Sequence, residues 1–305
     1  MDPASFEKKY SNPLKREEYI EEFMIKIDAY VRQLVDVFRF ALKYRIMFRG
    51  SGVEFAGLRE YIPEQDDATR IDWKASLRAN KLYVKQYEEE RDLEVFILVD
   101  SSSSMLFGSQ DKLKSEYATI VSGSIAYAAI ESGDKVGFGM FSDVMRNSFE
   151  PECDMTQYYR ILRHAVDPAY YGGKCNLGKA LDYMLNMLKP RTILFIISDF
   201  IGLDRNWEDS LKMMGGKLDR VVGIMSRDIR DSKLPEGVGY MRLGDPFSNK
   251  MASVDIDEIR EEYNYLTLRQ EDNIKDSFHD VGLGFVKAHT TEPFVEPLIK
   301  YLTLA

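Results

Sequence analysis

The chain has 305 residues and a formal net charge of −9, and hydrophobic residues make up 45% and charged residues 30% of it. This length allows one large domain or two small ones, and the composition is that of a soluble globular protein rather than a disordered one. The acidic balance argues against a nucleic-acid-binding protein, which usually carries a basic balance. The two cysteines form no framework of spaced pairs, so we expect a reducing compartment and a cytoplasmic location.

The first predicted element is a long amphipathic helix over residues 16–44. Its apolar residues recur at helical spacing and form one stripe, whereas the other face is charged. The stripe consists of Ile20, Phe23, Met24, Ile27, Val31, Leu34, Val35, Phe38 and Ala41. We expect this helix to pack on the main body of the protein. Because basic residues and Phe48 follow the stripe, the alternative is that residues 16–49 contact a membrane surface or a partner. Charges interrupt the run over residues 31–47, so no transmembrane segment is predicted.

The chain is predicted to divide at residue 92. Residues 1–92 form an N-terminal region that contains the amphipathic helix and a mixed segment, and residues 93–305 form the main domain. The mixed segment begins at Gly50 and Gly52, which interrupt the helical pattern, and it contains a predicted strand over residues 82–87.

From residue 93 onward, predicted strands alternate with predicted helices. The strands are residues 93–99, 135–141, 192–198, 220–225, a short segment near Tyr240, and 283–288. The helices are residues 112–132, 156–165, 177–188, 207–214, 256–278 and a last one from Pro293. Residues 93–99 are almost continuously apolar, which is typical of a strand that is buried on both faces. The alternation predicts the α/β class, with a mostly parallel, doubly wound sheet.

Two of these strands run directly into an aspartate, Asp100 and Asp199. Ligands of such sheets bind at the carboxyl ends of the strands, where the strand order reverses, so we expect both carboxylates there. An unpaired buried carboxylate is costly, and two that converge need a cation between them. Ser102 and Ser104 add hydroxyl oxygens, and an all-oxygen ligand set suits Mg²⁺. The alternative is that the serines only form a turn and cap a helix.

The Asp-x-Ser-x-Ser pattern of Asp100, Ser102 and Ser104, together with Asp199, resembles the metal-ion-dependent adhesion site of von Willebrand factor type A domains. The preceding segments, residues 55–63, 70–78 and 82–85, resemble the signature of the domain-of-unknown-function 58 family. The likeness continues through residues 198–200 and 244–246 and covers roughly residues 50 to 300. It implies a von Willebrand type A-like, Rossmann-like fold with an N-terminal helical and β extension. It also implies a Mg²⁺ site that Asp100, Ser102, Ser104 and Asp199 form.

The sequence departs from the type A pattern in the loop around Gly172 and Gly173. Type A domains usually place a threonine there, and its hydroxyl joins the coordination sphere of the metal. The matching residue here is Cys175, whose thiol is soft, mostly protonated and a poor ligand for Mg²⁺. Lys174 adds a positive charge beside it. We therefore expect a site that binds Mg²⁺ weakly, uses Asn176 instead, or stands empty.

The signature also contains alternating acids and bases beside a tryptophan. These residues are Arg59, Asp72, Trp73, Arg78 and Lys85. The first interpretation is an internal brace of ion pairs and hydrogen bonds, and the alternative is a docking surface for a partner.

The resemblance implies a non-enzymatic interaction module, because members of the family are often paired with MoxR-type AAA+ ATPases that assemble or remodel protein complexes. In this interpretation a cation at Asp100 captures an acidic side chain of the partner. The alternative function is a metal-dependent phosphohydrolase that uses Asp100 as its nucleophile. Such an enzyme usually needs a second aspartate two residues later as the general acid, and Ser102 occupies that position here.

Overall fold

The computed structural model describes residues 10–43, 53–62, 66, 71–79, 81–89, 94–218, 220–248 and 250–304. The chain forms two compact units. One contains residues 1–42 and 93–305, and the other contains residues 43–92. The chain therefore leaves the larger unit after the long helix and returns to it at residue 93. The predicted division into independent domains at residue 92 stays a prediction.

The long helix, α1 (Pro13–Lys43), belongs to the larger unit. Proline is favoured at its first position because the N–H there has no intrahelical partner. Ile20, Ile27 and Val31 of the apolar stripe are buried, as packing on the main body requires. The alternative of membrane contact depends on basic residues at positions 39–49, and their side chains lie outside the part of the chain that the structure describes. Among the described residues, no helix is long and apolar enough to span a bilayer.

The smaller unit contains a two-stranded antiparallel sheet of β1 (Val53–Glu60) and β2 (Tyr83–Glu89), joined through a short helix, α2 (Trp73–Ala79). Asp72 accepts hydrogen bonds from the amides of Lys74 and Ala75, 3.0 Å each, and so starts α2. Arg59 pairs with Asp66, with 2.7 Å between Nη1 and Oδ2. The two signature residues Arg59 and Asp72 thus make an ion pair and hydrogen bonds within this unit. The side chain of Lys85 lies outside the part of the chain that the structure describes.

The remaining elements belong to the larger unit. Its strands are β3 (Glu94–Asp100), β4 (Lys135–Phe141), β5 (Met145–Glu152), β6 (Thr192–Ser198), β7 (Arg220–Arg227), β8 (Tyr240–Gly244), β9 (Met251–Asp255) and β10 (Gly284–His289). Its further helices are α3 (Lys114–Glu131), α4 (Met155–Val166), α5 (Leu177–Met187), α6 (Trp207–Lys217), α7 (Ile229–Ser232), α8 (Ile256–His279) and α9 (Val295–Leu304).

Six strands form the central sheet in the order β10-β7-β6-β3-β4-β5. Five of them are parallel, and β5 alone runs antiparallel to its neighbour β4. Counted along the chain within the sheet, the order reads 6-5-4-1-2-3, which is the doubly wound order with a reversal between β3 and β6. The predicted α/β class with a mostly parallel sheet is confirmed. The reversal places the residues that follow β3 and β6 at the edge where such sheets bind ligands.

Helices cover both faces of this sheet. β3 is buried along its whole length, as its continuous apolar run predicts. On one face, side chains of α5, α6 and α8 form a continuous core with those of β3, β6 and β7. On the other face, α3 lies against β3, β4, β6 and β7. α3 carries buried side chains through most of its length because α1 and α4 cover its outer side.

Neither β5 nor β9 was predicted from the sequence. β5 lies at the edge of the sheet and pairs with β4 only, and its sequence MRNSFEPE is largely polar and contains Pro151. Edge strands often carry proline and charged residues because one side of their backbone has no partner strand. Neither an apolar run nor a clear alternation marks such a strand. β9 forms a separate two-stranded sheet with β8.

The small residue Gly123 of α3 allows α1 and α4 to approach closely. A Cβ atom at this position would lie 2.7 Å from Leu162 Cδ2 and within 4 Å of Val31 and Ile27. We predict that Gly123→Val lowers the free energy of unfolding by about 1–3 kcal/mol through overpacking. Chemical denaturation measures this change. The control is Gly216→Val in α6, where a Cβ meets no atom within 4 Å, and a loss of the same size there would contradict the explanation.

Candidate functional site

Asp100 ends β3 at the point where the strand order reverses, and it is fully buried. Each of its carboxylate oxygens accepts a hydrogen bond. The amide of Ser102 donates to Oδ1 at 2.8 Å, and the hydroxyl of Ser198, at the end of β6, donates to Oδ2 at 2.6 Å. The neighbouring strand therefore fixes the orientation of this carboxylate.

The two serines predicted as ligands lie beside Asp100. Ser102 and Ser104 are buried, and their Oγ atoms are 3.1 Å apart. Adjacent oxygens of an octahedral Mg²⁺ site, at ~2.1 Å from the metal, are ~3 Å from each other. Ser102 precedes a 3₁₀ turn (Ser103–Leu106), but its side chain makes no capping hydrogen bond to that turn. The hydroxyl spacing thus fits two adjacent ligand positions, and capping does not account for Ser102.

Asp199 follows β6 and is also fully buried. Its Oδ1 accepts a hydrogen bond from the amide of Ile201 at 2.9 Å. The chain can turn back toward the carboxylate because Phe200 adopts a left-handed backbone conformation, with φ of 54°. The other oxygen, Oδ2, accepts a hydrogen bond from Lys114 Nζ at 2.7 Å. Asp199 is therefore already paired with a cation that the protein itself supplies.

Lys114 lies in the first turn of α3 and is 1% exposed. Its ammonium group contacts Oδ2 of Asp199 and Oδ2 of Asp231, each at 2.7 Å. Burial lowers the pKa of Lys114, but the two carboxylates outweigh this effect and the pKa is raised overall. Lys114 is therefore charged at neutral pH and neutralises part of the acidic cluster.

Asp100, in contrast, has no ion-pair partner among the described residues. Burial, followed by the negative charge of Asp199, raises the pKa of Asp100 from 3.8 to about 6, against the opposing effect of the hydrogen bonds from Ser198 and Ser102. A carboxylate that is desolvated and repelled by a second carboxylate is a good position for an additional cation.

The loop that carries Cys175 is hydrogen-bonded to the serine loop. The amide of Gly172 donates to the Ser101 carbonyl at 2.8 Å, and the amide of Ser103 donates to the Gly173 carbonyl at 3.0 Å. The thiol of Cys175 is buried. Burial, together with the negative charges nearby, raises its pKa well above the usual value. Cys175 thus presents a protonated thiol where a hard oxygen ligand would lie.

Asn176, the alternative ligand to Cys175, has a structural role here. Its side-chain oxygen accepts a hydrogen bond from the amide of Lys179 at 3.2 Å and caps the N-terminus of α5. Gly173 and Lys174 are exposed and form part of the rim of the site.

Further acidic and basic residues lie next to the predicted site, and they were not predicted from the sequence. Asp228 follows β7, is fully buried, and accepts hydrogen bonds from the hydroxyl (2.6 Å) and amide (2.8 Å) of Ser109. Its own amide donates to Oδ2 of Asp231 at 3.0 Å. The buried Arg227 donates from Nε to the carbonyl of Asp199 at 2.9 Å. The signal was present, because β7 is a third strand that runs into an aspartate.

The hairpin of β8 and β9 borders the loop that follows Asp199. A Cβ atom at Gly202, which has φ of +73°, would lie 2.6 Å from Cε2 of Phe247 at the tip of this hairpin. Hydrogen bonds from Ser248 and from the Phe247 amide lower the pKa of Asp245, and the positive charge of Lys174 acts in the same direction. The segment at residues 244–246 that carried part of the family resemblance thus lies near the rim of the site.

The predicted ligands differ in how well they fit a hard cation. The hydroxyls of Ser102 and Ser104 have the spacing of two adjacent ligand positions and lie beside the carboxylate of Asp100, whereas Asp199 is held by Lys114 and Cys175 offers no oxygen. In the part of the chain that the structure describes, no group of three or more His, Cys, Asp or Glu side chains is arranged to hold a metal. A metal here would depend on serine hydroxyls and water, and its binding stays a prediction.

Residues 57–273 match the family model described as "Protein of unknown function DUF58". The chain belongs to this family. The predicted family membership is therefore confirmed, over well more than half of the sequence. The uncharacterized protein Rv1480 of Mycobacterium tuberculosis is 24% identical over 256 residues, which cover 83% of this chain and 80% of that protein.

Solved structures that this DUF58 protein resembles include type A domains. The conserved hypothetical protein BatB from Bacteroides thetaiotaomicron matches with a TM-score of 0.47 and 14% identity, over 70% of this chain and 98% of that one. The VWA domain of SpRpn10 matches with a TM-score of 0.38 and 10% identity, over 68% of this chain and 93% of that one.

Proposed function

We propose that this DUF58 protein is a non-enzymatic protein-interaction module that binds an acidic side chain of a partner at the carboxyl ends of β3 and β6. The observation that carries the proposal is the buried carboxylate of Asp100, which has no counter-ion among the described residues and lies beside the paired hydroxyls of Ser102 and Ser104. The proposed partner is a MoxR-type AAA+ ATPase, which the family resemblance suggests. The pair would act in the assembly or remodelling of protein complexes.

Asp100, Ser102 and Ser104 would hold the Mg²⁺ ion, with Asp199 near it. When bound, the ion supplies a positive charge and an open coordination position that an acidic side chain can occupy. Two sets of hydrogen bonds would hold the ligands of this site in place. Ser198 and the Ser102 amide fix the Asp100 carboxylate, and the Gly172–Gly173 loop is hydrogen-bonded to the serine loop. The exposed Lys174 at the rim would attract the acidic group of the partner.

The proposed role does not include catalysis. A phosphohydrolase that used Asp100 as its nucleophile would need a proton donor two residues later, and the Ser102 hydroxyl there is paired with Ser104 at 3.1 Å. An unactivated hydroxyl is a far weaker acid than a carboxylic acid, so it cannot protonate a leaving group efficiently near neutral pH.

Capture of the ATPase tests whether the proposed interaction depends on Mg²⁺ and on Asp100. The wild-type protein is expected to retain a MoxR-type AAA+ ATPase from the same genome in millimolar Mg²⁺ and to release it in EDTA. Asp100→Ala is expected to reduce capture by about tenfold, which corresponds to ~1.4 kcal/mol. A pull-down with purified proteins measures this. The control is Asp111→Ala, which removes an exposed acid of the same charge. Capture that survives both EDTA and Asp100→Ala would contradict the mechanism.

Cys175 is expected to limit the affinity of the proposed site for Mg²⁺. Replacing the soft thiol by a hydroxyl in Cys175→Ser adds a hard oxygen near Asp100, so we expect Mg²⁺ affinity to rise severalfold, on the order of 1 kcal/mol. Isothermal titration calorimetry with MgCl₂ measures the affinity directly. Cys153→Ser is the control, because Cys153 is exposed. Equal affinities of Cys175→Ser and wild type would show that this position does not limit the site.

A phosphatase assay distinguishes the interaction module from the phosphohydrolase. In the presence of Mg²⁺ or Mn²⁺, the wild-type protein is expected to hydrolyse an aryl phosphate no faster than Asp100→Ala, because the general acid is missing. Release of nitrophenol from para-nitrophenyl phosphate gives the rate. Turnover that depends on Asp100 would refute the non-enzymatic assignment.

A further inference from the structure

We propose that Lys114 sets the divalent-cation affinity of this site by occupying Asp199 as a cation that is built into the fold. The inference rests on the proposed function, because it concerns the regulation of the same site. It starts from an unusual placement: the lysine is 1% exposed, and its ammonium group lies between two carboxylates at 2.7 Å from each. Lysine is almost never fully buried unless its charge is paired.

Several contacts hold Lys114 in a position where its positive charge neutralises the carboxylate of Asp199. Its backbone amide donates to the Phe107 carbonyl at 3.0 Å, which fixes the start of α3. Its Nζ atom lies 5.6 Å from the centre of the Phe107 ring. The second carboxylate, that of Asp231, is itself fixed by the Asp228 amide at 3.0 Å. Side chains from α3, from the loop after β6 and from α7 thus meet in one ion-pair cluster, in which Lys114 and Asp199 are buried and Asp231 is partly exposed.

The consequence for a metal is electrostatic. The affinity of an oxygen site for a divalent cation depends on the number of charged ligands that remain available. Asp100 is available, since its hydrogen bonds come from neutral donors. Because Asp199 is ion-paired with Lys114, a cation beside Asp100 meets one unpaired carboxylate of the pair Asp100 and Asp199 instead of two. The positive charge of Lys114 also repels such a cation.

A purely structural role for Lys114 makes a different prediction. If the lysine only braces the fold, its removal destabilises the protein and leaves cation affinity unchanged or lower. If the lysine competes with a cation for Asp199, its removal leaves the buried carboxylates of Asp100 and Asp199 for a divalent cation to neutralise. Cation affinity then increases although the metal-free protein becomes less stable.

The test is calorimetric titration of the full chain with MgCl₂ for the wild type, Lys114→Met and Lys112→Met. Lys112 is an exposed lysine two residues away, so Lys112→Met removes the same charge without touching Asp199. We expect Lys114→Met to bind Mg²⁺ about tenfold more tightly than the wild type and Lys112→Met to bind like the wild type. Adding Asp199→Asn to Lys114→Met is expected to remove the gain. Thermal unfolding with and without Mg²⁺ should show the largest increase in Tm for Lys114→Met.

The outcomes separate this inference from the proposed function. Equal Mg²⁺ affinity of the wild type and Lys114→Met, with binding that depends on Asp100, would overturn the role of Lys114 and leave the proposed site intact. Absence of Mg²⁺ binding in both proteins would refute the metal site and this inference together. Should Lys114→Met fail to fold, the double variant Lys114→Met/Asp231→Asn removes one of the two carboxylates, and the same tenfold gain is expected from Asp199 alone.

Discussion

The structure depends on how negative charge is balanced at the carboxyl edge of the central sheet. Three parallel strands end at or beside a buried aspartate, namely Asp100, Asp199 and Asp228. Carboxylates in a desolvated environment require donors or cations, because an uncompensated charge costs several kcal/mol. The chain meets this requirement differently at each strand. Neutral donors hold Asp100, Lys114 pairs with Asp199, and the hydroxyl and amide of Ser109 bind Asp228.

These bonds also determine how the loops around the edge are arranged. Lys114 joins the start of α3 to the loop after β6, and Asp228 joins the loop before α3 to the start of α7. Arg227 connects the end of β7 to the backbone of Asp199 and, through Glu271, to α8. Glu271 also accepts hydrogen bonds from Ser232 and Lys287. Burial raises the pKa of Glu271, but these partners outweigh that effect and lower the pKa overall. The loops of the candidate site are therefore fixed from several elements of the fold before any ligand binds.

Much of the larger unit could be predicted from the sequence, for physical reasons that apply to particular segments. Strands buried on both faces have continuous apolar runs, so β3 and β6 could be predicted. Asp100 and Asp199 could be identified as candidate site residues because aspartate is unfavourable at the end of such a run. β5 was not visible, because an edge strand can be polar and tolerate Pro151. Lys114 and Asp231 were missed because no local pattern indicates that residues 117 positions apart will form a buried ion pair, with 2.7 Å between Nζ and Oδ2.

The buried carboxylate of Asp100 lowers the stability of the fold at neutral pH. Its pKa is raised to about 6 in the folded protein, above the usual 3.8. The folded state therefore binds the proton of Asp100 more tightly than the unfolded state does, and stability from this group decreases as pH rises between those two values. An asparagine at position 100 would avoid this cost and would still offer an acceptor to the Ser102 amide. A buried acid that weakens the fold at neutral pH, next to two hydroxyls at ligand spacing and at the reversal of strand order, supports the cation site that we propose. Lys114 fits the same proposal, because it neutralises Asp199 and leaves Asp100 as the carboxylate of this pair that has no counter-ion among the described residues.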